Sequence, residues 1–194
     1  MKSLTCACLA DRTLAEGRTY PQYGPVDADA FASTFLAYGA LLLTDVVVGV
    51  LVPQDCADDV NGIDAPDVLG GPSLSGALNS CTWPAQLGGF YYIKPNYPGR
   101  SSHLCNAGFV VPSARRGLGL GHVLARNFLH SAPRLDYEGS VFNLVYTSNT
   151  ASIRLWETYG FEVVGRIPKA GRLRAGDTEE RADALVIYKE FNKN

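Results

Sequence analysis

The sequence predicts an α/β fold: one mixed, mostly antiparallel central sheet flanked by helices. Three observations carry this. Short runs rich in Val, Tyr and Phe, such as Phe90-Tyr91-Tyr92-Ile93 and Ser140 to Tyr146, alternate with breakers. Other segments space their apolar residues as one face of a helix does. The order along the chain is helix, strands, helix, strand, helix, strands, which suits layers built on a single sheet.

The elements follow in chain order. Leu14 to Pro25 is irregular, with Pro21, Gly24 and Pro25 as breakers. Asp27-Ala28-Asp29 opens a helix, because Asp caps the exposed N–H groups and favours the positive end of the helix dipole. Phe31, Phe35 and Tyr38 form its apolar face, and Gly39 ends it. Ala40 to Val52 reads as strand, with a hairpin turn near Asp45. Gln54 to Ala85 is rich in Asp, Gly, Ser and Pro and reads as a long surface loop at about 54–85 within a single domain spanning 1–194.

Patterning strengthens from Gly88. Phe90 to Ile93 is a strand stopped by Pro95, and Ala107 to Val111 is another, stopped by Pro112. A helix follows the glycines of 117–121, with Leu120, Val123, Leu124 and Phe128 on one face, and should stop before Pro133. In the strand Ser140 to Tyr146, alternation puts Val141, Asn143 and Val145 on one face. Asn149 caps a helix carrying Ala151, Leu155 and Tyr159, Gly160 fits its left-handed C′ position, and Phe161 fits the apolar residue after it. Strands around Glu162 to Ile167 and Ala184 to Tyr188 close the chain.

Composition narrows the function. The chain has 194 residues, of which 46% are hydrophobic, enough for a full core. A net charge of −2 gives no electrostatic footprint for nucleic acid, so a bound anion must be held by local geometry. The longest apolar run, Ala40 to Val52, is too short to span a membrane. The first ten residues faintly resemble a signal peptide, but Asp11 and Arg12 cut the apolar stretch short. Five cysteines without a CxxC pair point to free thiols in a reducing, cytoplasmic setting, with no metal site.

The segment Ala107 to His122 carries the chemistry: strand, basic turn with Arg115 and Arg116, then Gly117-Leu118-Gly119-Leu120-Gly121 leading into a helix. Glycines allow close backbone approach, successive N–H groups can share a concavity, and a helix N-terminus adds partial positive charge. Together they make a phosphate cradle. A P-loop would need Lys after its last glycine, where His122 stands. The dinucleotide fingerprint lacks its third glycine, which would fall on His122 or Leu124. The remaining pattern is Arg/Gln-x-x-Gly-x-Gly/Ala after a strand, met by Arg116, Gly119 and Gly121.

That pattern resembles the pyrophosphate loop of the GNAT acetyltransferases. The segment Asn149 to Phe161 resembles the second helix motif of the same family, in the same order and spacing. Thr19-Tyr20-Pro21-Gln22, Phe90 to Tyr97, Cys105 to Phe109 and Phe142-Asn143-Leu144-Val145 narrow the likeness to the fungal proline-analogue N-acetyltransferases, which acetylate azetidine-2-carboxylate and related imino acids. The resemblance implies a GNAT fold, acetyl-CoA as cosubstrate, a small amino or imino acid as acceptor, and a homodimer. It implies that Phe109, Val110 and Val111 pair with the pantetheine arm. Arg115, Arg116, Gly117, Leu118, Gly119, Leu120, Gly121, Asn149, Ser152 and Trp156 would complete the acetyl-CoA site. It also implies that Asn106 and Asn143 hold the acceptor and that Asn149 has the catalytic, positioning role.

Two departures from the wider family stand out. Trp156 replaces the tyrosine that many GNAT enzymes use as acid, and no carboxylate lies between Lys94 and Val111. His103 is the one conventional base in that stretch, but it reads more readily as a surface or hydrogen-bonded loop residue. Cys105 could carry an acetyl group or be an inert buried thiol. Asn143 is a polar residue in an apolar strand, so it needs partners whether it serves a site or only the core. Asn106 could instead bond its own loop, and Asn149 could be a plain helix cap. The reading is catalysis by positioning, in which a neutral amine attacks directly. A GNAT for another amine or a peptide N-terminus, and a binding module without turnover, are the alternatives.

Overall fold

A computed structural model describes residues 13–21, 40–44, 48–51 and 87–191. The helix expected over Phe31 to Tyr38 and the loop over 54–85 lie outside these residues. The described strands are β1 (Ala40–Thr44), β2 (Val48–Leu51), β3 (Leu87–Pro95), β4 (Leu104–Val110), β5 (Gly139–Tyr146), β6 (Glu162–Ala175) and β7 (Thr178–Glu190). Two helices, α1 (Leu120–Arg134) and α2 (Thr150–Thr158), follow β4 and β5. The sheet order is β2-β1-β3-β4-β5-β7-β6. Every pairing is antiparallel except β4 with β5, which is parallel. The mixed, mostly antiparallel sheet is therefore as expected, and so is the hairpin of β1 and β2, which pair from Leu43 with Val48 to Ala40 with Leu51.

One face of the sheet packs against both helices. Tyr91, Ile93, Cys105, Ala107, Phe142 and Ile187 pack against Leu124, Ala125, Phe128 and Ala132 of α1 and Trp156 of α2. The spacing of the α1 residues follows the helical period that predicted them. A buried polar pair sits within this layer: the Tyr91 hydroxyl donates to Asn127 Oδ1 at 2.6 Å. Burial holds that phenol protonated far above its ordinary range.

Both helices end in the same way. At α2 the N–H of Phe161 donates to the Trp156 carbonyl at 3.0 Å, and that of Gly160 to Glu157 at 3.0 Å, with Gly160 at φ 74°. This is the Schellman closure expected at Gly160, and Phe161 then packs edge-on against Trp156 with ring centroids 5.0 Å apart. At α1 the pattern repeats around Asp136, at φ 62°: Tyr137 donates to Ala132 at 3.2 Å and Asp136 to Pro133 at 3.1 Å. Here the sequence reading needs correction. The helix does not stop before Pro133 but runs through it to Arg134. In the last turn the proline forfeits one bond, while Leu135 still donates to Ser131 at 3.2 Å and the carbonyls beyond are closed by the cap.

A second correction concerns β5. Its register with β7 shifts between Phe142 and Val145, so the alternation breaks there. Val145 joins Phe142 in the core rather than sharing a face with Val141 and Asn143. The closing strands are also longer than expected. β6 and β7 form one hairpin about a tight turn at Gly176, with Ala175 paired to Thr178.

Gly160 tests the cap. Any side chain there must adopt a left-handed backbone, at a cost of about 1–2 kcal/mol. Gly160→Ala should lower stability by that amount in urea unfolding, and an unchanged midpoint would remove this role from the glycine.

Candidate active site

The site begins where the sheet stops being continuous. β4 and β5 pair at two positions only, Leu104 with Gly139 and Cys105 with Ser140. Beyond them the ladder ends, and β4 keeps a partner on one side alone, β3. The N–H of Asn96 donates to the Leu104 carbonyl at 2.8 Å. Hydrogen-bonded pairs alternate in an antiparallel ladder, so Lys94/Asn106, Tyr92/Gly108 and Phe90/Val110 are the bonded pairs that follow. The backbone groups of Ala107 and Phe109 therefore face the open edge. The Val110 backbone faces β3, which corrects the expectation that Phe109, Val110 and Val111 all present their N–H groups to a ligand. The Val111 carbonyl accepts from Arg116 Nε at 3.3 Å.

Three side-chain amides gather beside this opening. Asn96 Oδ1 accepts from Asn106 Nδ2 at 3.0 Å and from Asn143 Nδ2 at 2.6 Å. Asn96 Nδ2 donates in return to Asn143 Oδ1 at 3.1 Å. The structure thus joins Asn106 of β4 and Asn143 of β5, as the resemblance implied, and it joins them through Asn96. Sequence reasoning missed Asn96 as a site residue, because after Pro95 it reads as ordinary turn chemistry. Asn149 is not hydrogen-bonded to this cluster; its Oδ1 caps α2 by accepting from the Ser152 N–H at 3.2 Å.

Aromatic groups border the same face. Tyr92 lies over Gly108, so close that a Cβ there would fall 2.4 Å from the ring. The Tyr20 hydroxyl donates to the Phe109 carbonyl at 3.2 Å, on the open edge of β4. Burial, then the neighbouring Tyr92 phenol, holds Tyr20 well above the usual phenol range. Burial pushes Tyr92 up to about 12. The signal for Tyr20 in the sequence was its place in the family-like segment Thr19 to Gln22.

At the far end of β4 the chain turns through a short 3₁₀ segment, Ser113–Arg115, into the glycine loop. Gly117 and Gly119 adopt φ 81° and 77°, and nothing lies within 4 Å of a Cβ added at either. Leu118 between them is 67% exposed. Gly119 is the N-cap of α1, so the N–H groups of Leu120 and Gly121 belong to the helix's first turn, which has no intrahelical acceptor. An open, left-handed loop leading into a helix N-terminus suits a phosphate-bearing ligand. Arg115 is half-buried in the 3₁₀ turn, whereas Arg116 Nη2 pairs with Glu16 Oε2 at 2.8 Å.

Three expected residues take structural places. Trp156 is 3% exposed, with ring centroids 4.9 Å from Phe109, 4.7 Å from Phe142 and 6.0 Å from Phe128. It belongs to the core beneath the opening rather than to a ligand surface. His103 is exposed in the β3–β4 connection, its Nδ1 3.2 Å from the Arg100 carbonyl. Cys105 is fully buried, and burial raises its thiol to about 12.

Comparison with known proteins bears on this arrangement. Residues 76–161 match the acetyltransferase (GNAT) family model. A GCN5-related N-acetyltransferase from Kribbella flavida superposes with a TM-score of 0.69 over 97% of this chain and 92% of that one, at 20% identity. The yncA acetyltransferase from Salmonella typhimurium, solved with its cofactor acetyl-CoA, gives 0.65 over 99% and 91%, at 16% identity. The fold is a GNAT fold. Among curated relatives, N-acetyltransferase aca1 of Schizosaccharomyces pombe is 50% identical over 120 residues, 62% of this chain and 56% of that protein. Protein SPT10 of Saccharomyces cerevisiae is 35% identical over 112 residues, 58% of this chain and 17% of that protein. The chain thus spans little more than half of the first relative and a sixth of the second.

Use of Cys105 as an acetyl carrier would need its thiolate. With the thiol near 12, about one molecule in ten thousand is ionised at pH 8. Cys105 should resist iodoacetamide in the native protein at that pH and react after denaturation, as read by peptide mass spectrometry. Rapid native labelling would overturn the inert assignment.

Proposed function

We propose that the protein is an acetyl-CoA-dependent N-acetyltransferase whose acceptor is a small amino or imino acid, such as azetidine-2-carboxylate or another proline analogue. The observation that carries this reading is the Asn96–Asn106–Asn143 cluster at the point where β4 and β5 part. The GNAT fold, the family match over 76–161 and the relative described as an N-acetyltransferase support the reaction class.

Acetyl-CoA supplies the activated acetyl group, which the acceptor amine takes as the thiol departs. Gly117, Leu118, Gly119, Leu120 and Gly121 would hold its phosphates, with Arg115 adding charge, and the open left-handed loop fits that task. Phe109 offers the backbone groups of the open β4 edge. Acceptor recognition falls to the amides. Each carboxamide has two donors and one acceptor oxygen, and the cluster uses only part of that capacity. Asn106 keeps its Oδ1 and one N–H, and Asn143 keeps one N–H. An amine can donate to the first while a carboxylate accepts from the others. Reciprocal bonding with Asn96 holds the two reading groups still, and a fixed site loses less entropy on binding.

No carboxylate of β3 or β4 is available as base, since neither strand contains one. In this reading the amine enters neutral. An aliphatic amine with pKa near 10 is neutral in about one molecule in a thousand at pH 7.

The test is thiol release from acetyl-CoA with azetidine-2-carboxylate, proline analogues and primary amines in parallel. Turnover should favour the imino acids and fall about tenfold to a hundredfold in Asn143→Ala at unchanged acetyl-CoA affinity. Turnover restricted to other amines would move the protein to a different acceptor class. Acetyl-CoA binding without turnover on any amine would make it a binding module. The rate should also rise about tenfold per pH unit from pH 7 toward the amine pKa; a flat profile with chemistry limiting would rule out direct attack by a neutral amine.

A further inference from the structure

We propose that Lys94 anchors the acceptor's carboxylate, so that the site selects small amines bearing an adjacent carboxylate over the same amines without one. The inference rests on the acceptor reading above and adds the group that discriminates.

Lys94 of β3 and Asn106 of β4 are direct partners in the ladder, and they form one of its hydrogen-bonded pairs. Side chains of such partners stand on the same face, with Cβ atoms about 5 Å apart. Lys94 therefore belongs to the row that holds the amide cluster and Tyr92. Its ammonium lies 5.8 Å from the centre of the Tyr92 ring, which itself covers Gly108. The charge is thus folded along β3 toward the place where the open edge of β4 begins. Its side chain starts on the sheet face that also carries Asn106.

The electrostatics of the position favour an anion. Lys94 is half-buried, and its ammonium makes no ion pair among the described residues. The ring of Tyr92 offers it only a weak cation–π contact. A partly desolvated cation on the face that carries the amides, with no carboxylate paired to it among the described residues, gains most from an incoming carboxylate. The amides supply geometry, and Lys94 supplies the charge they lack. An amine lacking the carboxylate would leave the ammonium as it stands and gain nothing from it.

The discriminating experiment pairs azetidine-2-carboxylate with azetidine-2-carboxamide, which keeps the ring and amine but loses the charge. Wild type, Lys94→Met and Lys94→Arg are compared by thiol release from acetyl-CoA and, separately, by calorimetric binding of each acceptor in the presence of CoA. In Lys94→Met the KM and Kd for the carboxylate should rise about tenfold to a hundredfold, with kcat little changed and the carboxamide values unaffected. Lys94→Arg should restore most of the carboxylate affinity. Equal effects on both acceptors, or no effect on either, would overturn the anchor. If wild type turns over neither acceptor, yet binds the carboxylate in a Lys94-dependent way, the anchor stands and the reaction assigned to the site falls. Binding of neither acceptor to wild type would overturn both.

Discussion

The short pairing of β4 with β5 is the constraint on which the rest depends. A sheet normally satisfies its backbone groups strand by strand. Here the ladder joins two positions and stops, and the edge carrying Ala107 and Phe109 is left without a strand partner inside the sheet. Such an edge must be answered by something other than strand. Tyr20 answers one carbonyl, that of Phe109. The remaining groups of Ala107 and Phe109 face the opening between the two strands. The same parting lets Asn143 of β5 reach Asn96 at the end of β3.

Two strands that separate need another means of holding their distance. Aromatic packing provides it. Phe109 of β4 and Phe142 of β5 approach with centroids 6.1 Å apart, and Trp156 contacts both at 4.9 and 4.7 Å. Phe161 stacks on Phe142 at 5.0 Å and is itself fixed by the C-cap of α2. The rings bridge the opening from the helix side, and the amide cluster lies on the other face, beside Tyr92. This gives the replacement of a tyrosine by Trp156 a physical meaning. The position contributes area and shape to the brace, and the proton chemistry of the site must come from elsewhere.

Much of this was legible in the sequence, and the failures have separate causes. The glycine loop, the Gly160 cap and the helix faces of Leu124 and Phe128 follow from local rules, which hold because backbone geometry enforces them whatever the tertiary context. The bulge in β5 was invisible, since Val141, Asn143 and Val145 alternate convincingly until register with β7 is known. The full length of β6 and β7 was hidden by charge. Arg172, Arg174, Glu179 and Glu180 are exposed, and the buried residues of β6 are only Gly171 and Leu173, too short an alternation to mark a strand. Pro133 argued for an earlier helix end because a proline costs most in a helix interior and little in a last turn already being capped. Asn96 and Lys94 became site candidates only through the ladder, because their significance lies in what stands opposite them rather than in their neighbours along the chain.

Among the described residues, the acceptor end of the proposed site gathers neutral amides and phenols with one cation, Lys94. Three amides can orient an amino acid, but they cannot take its proton, and the phenols of Tyr20 and Tyr92 are held protonated by burial. Nearby Cys105 is likewise held as a thiol. A site of this kind gains little by proton transfer and much by geometry, so its rate is tied to how well the amine is aimed and how often it arrives neutral. The cation of Lys94 fits this economy. A carboxylate held at one end keeps a small acceptor at the site, and the amine attacks whenever it is neutral. Recognition at the charged end then sets how often the site is filled, while the rate of attack follows the amine itself.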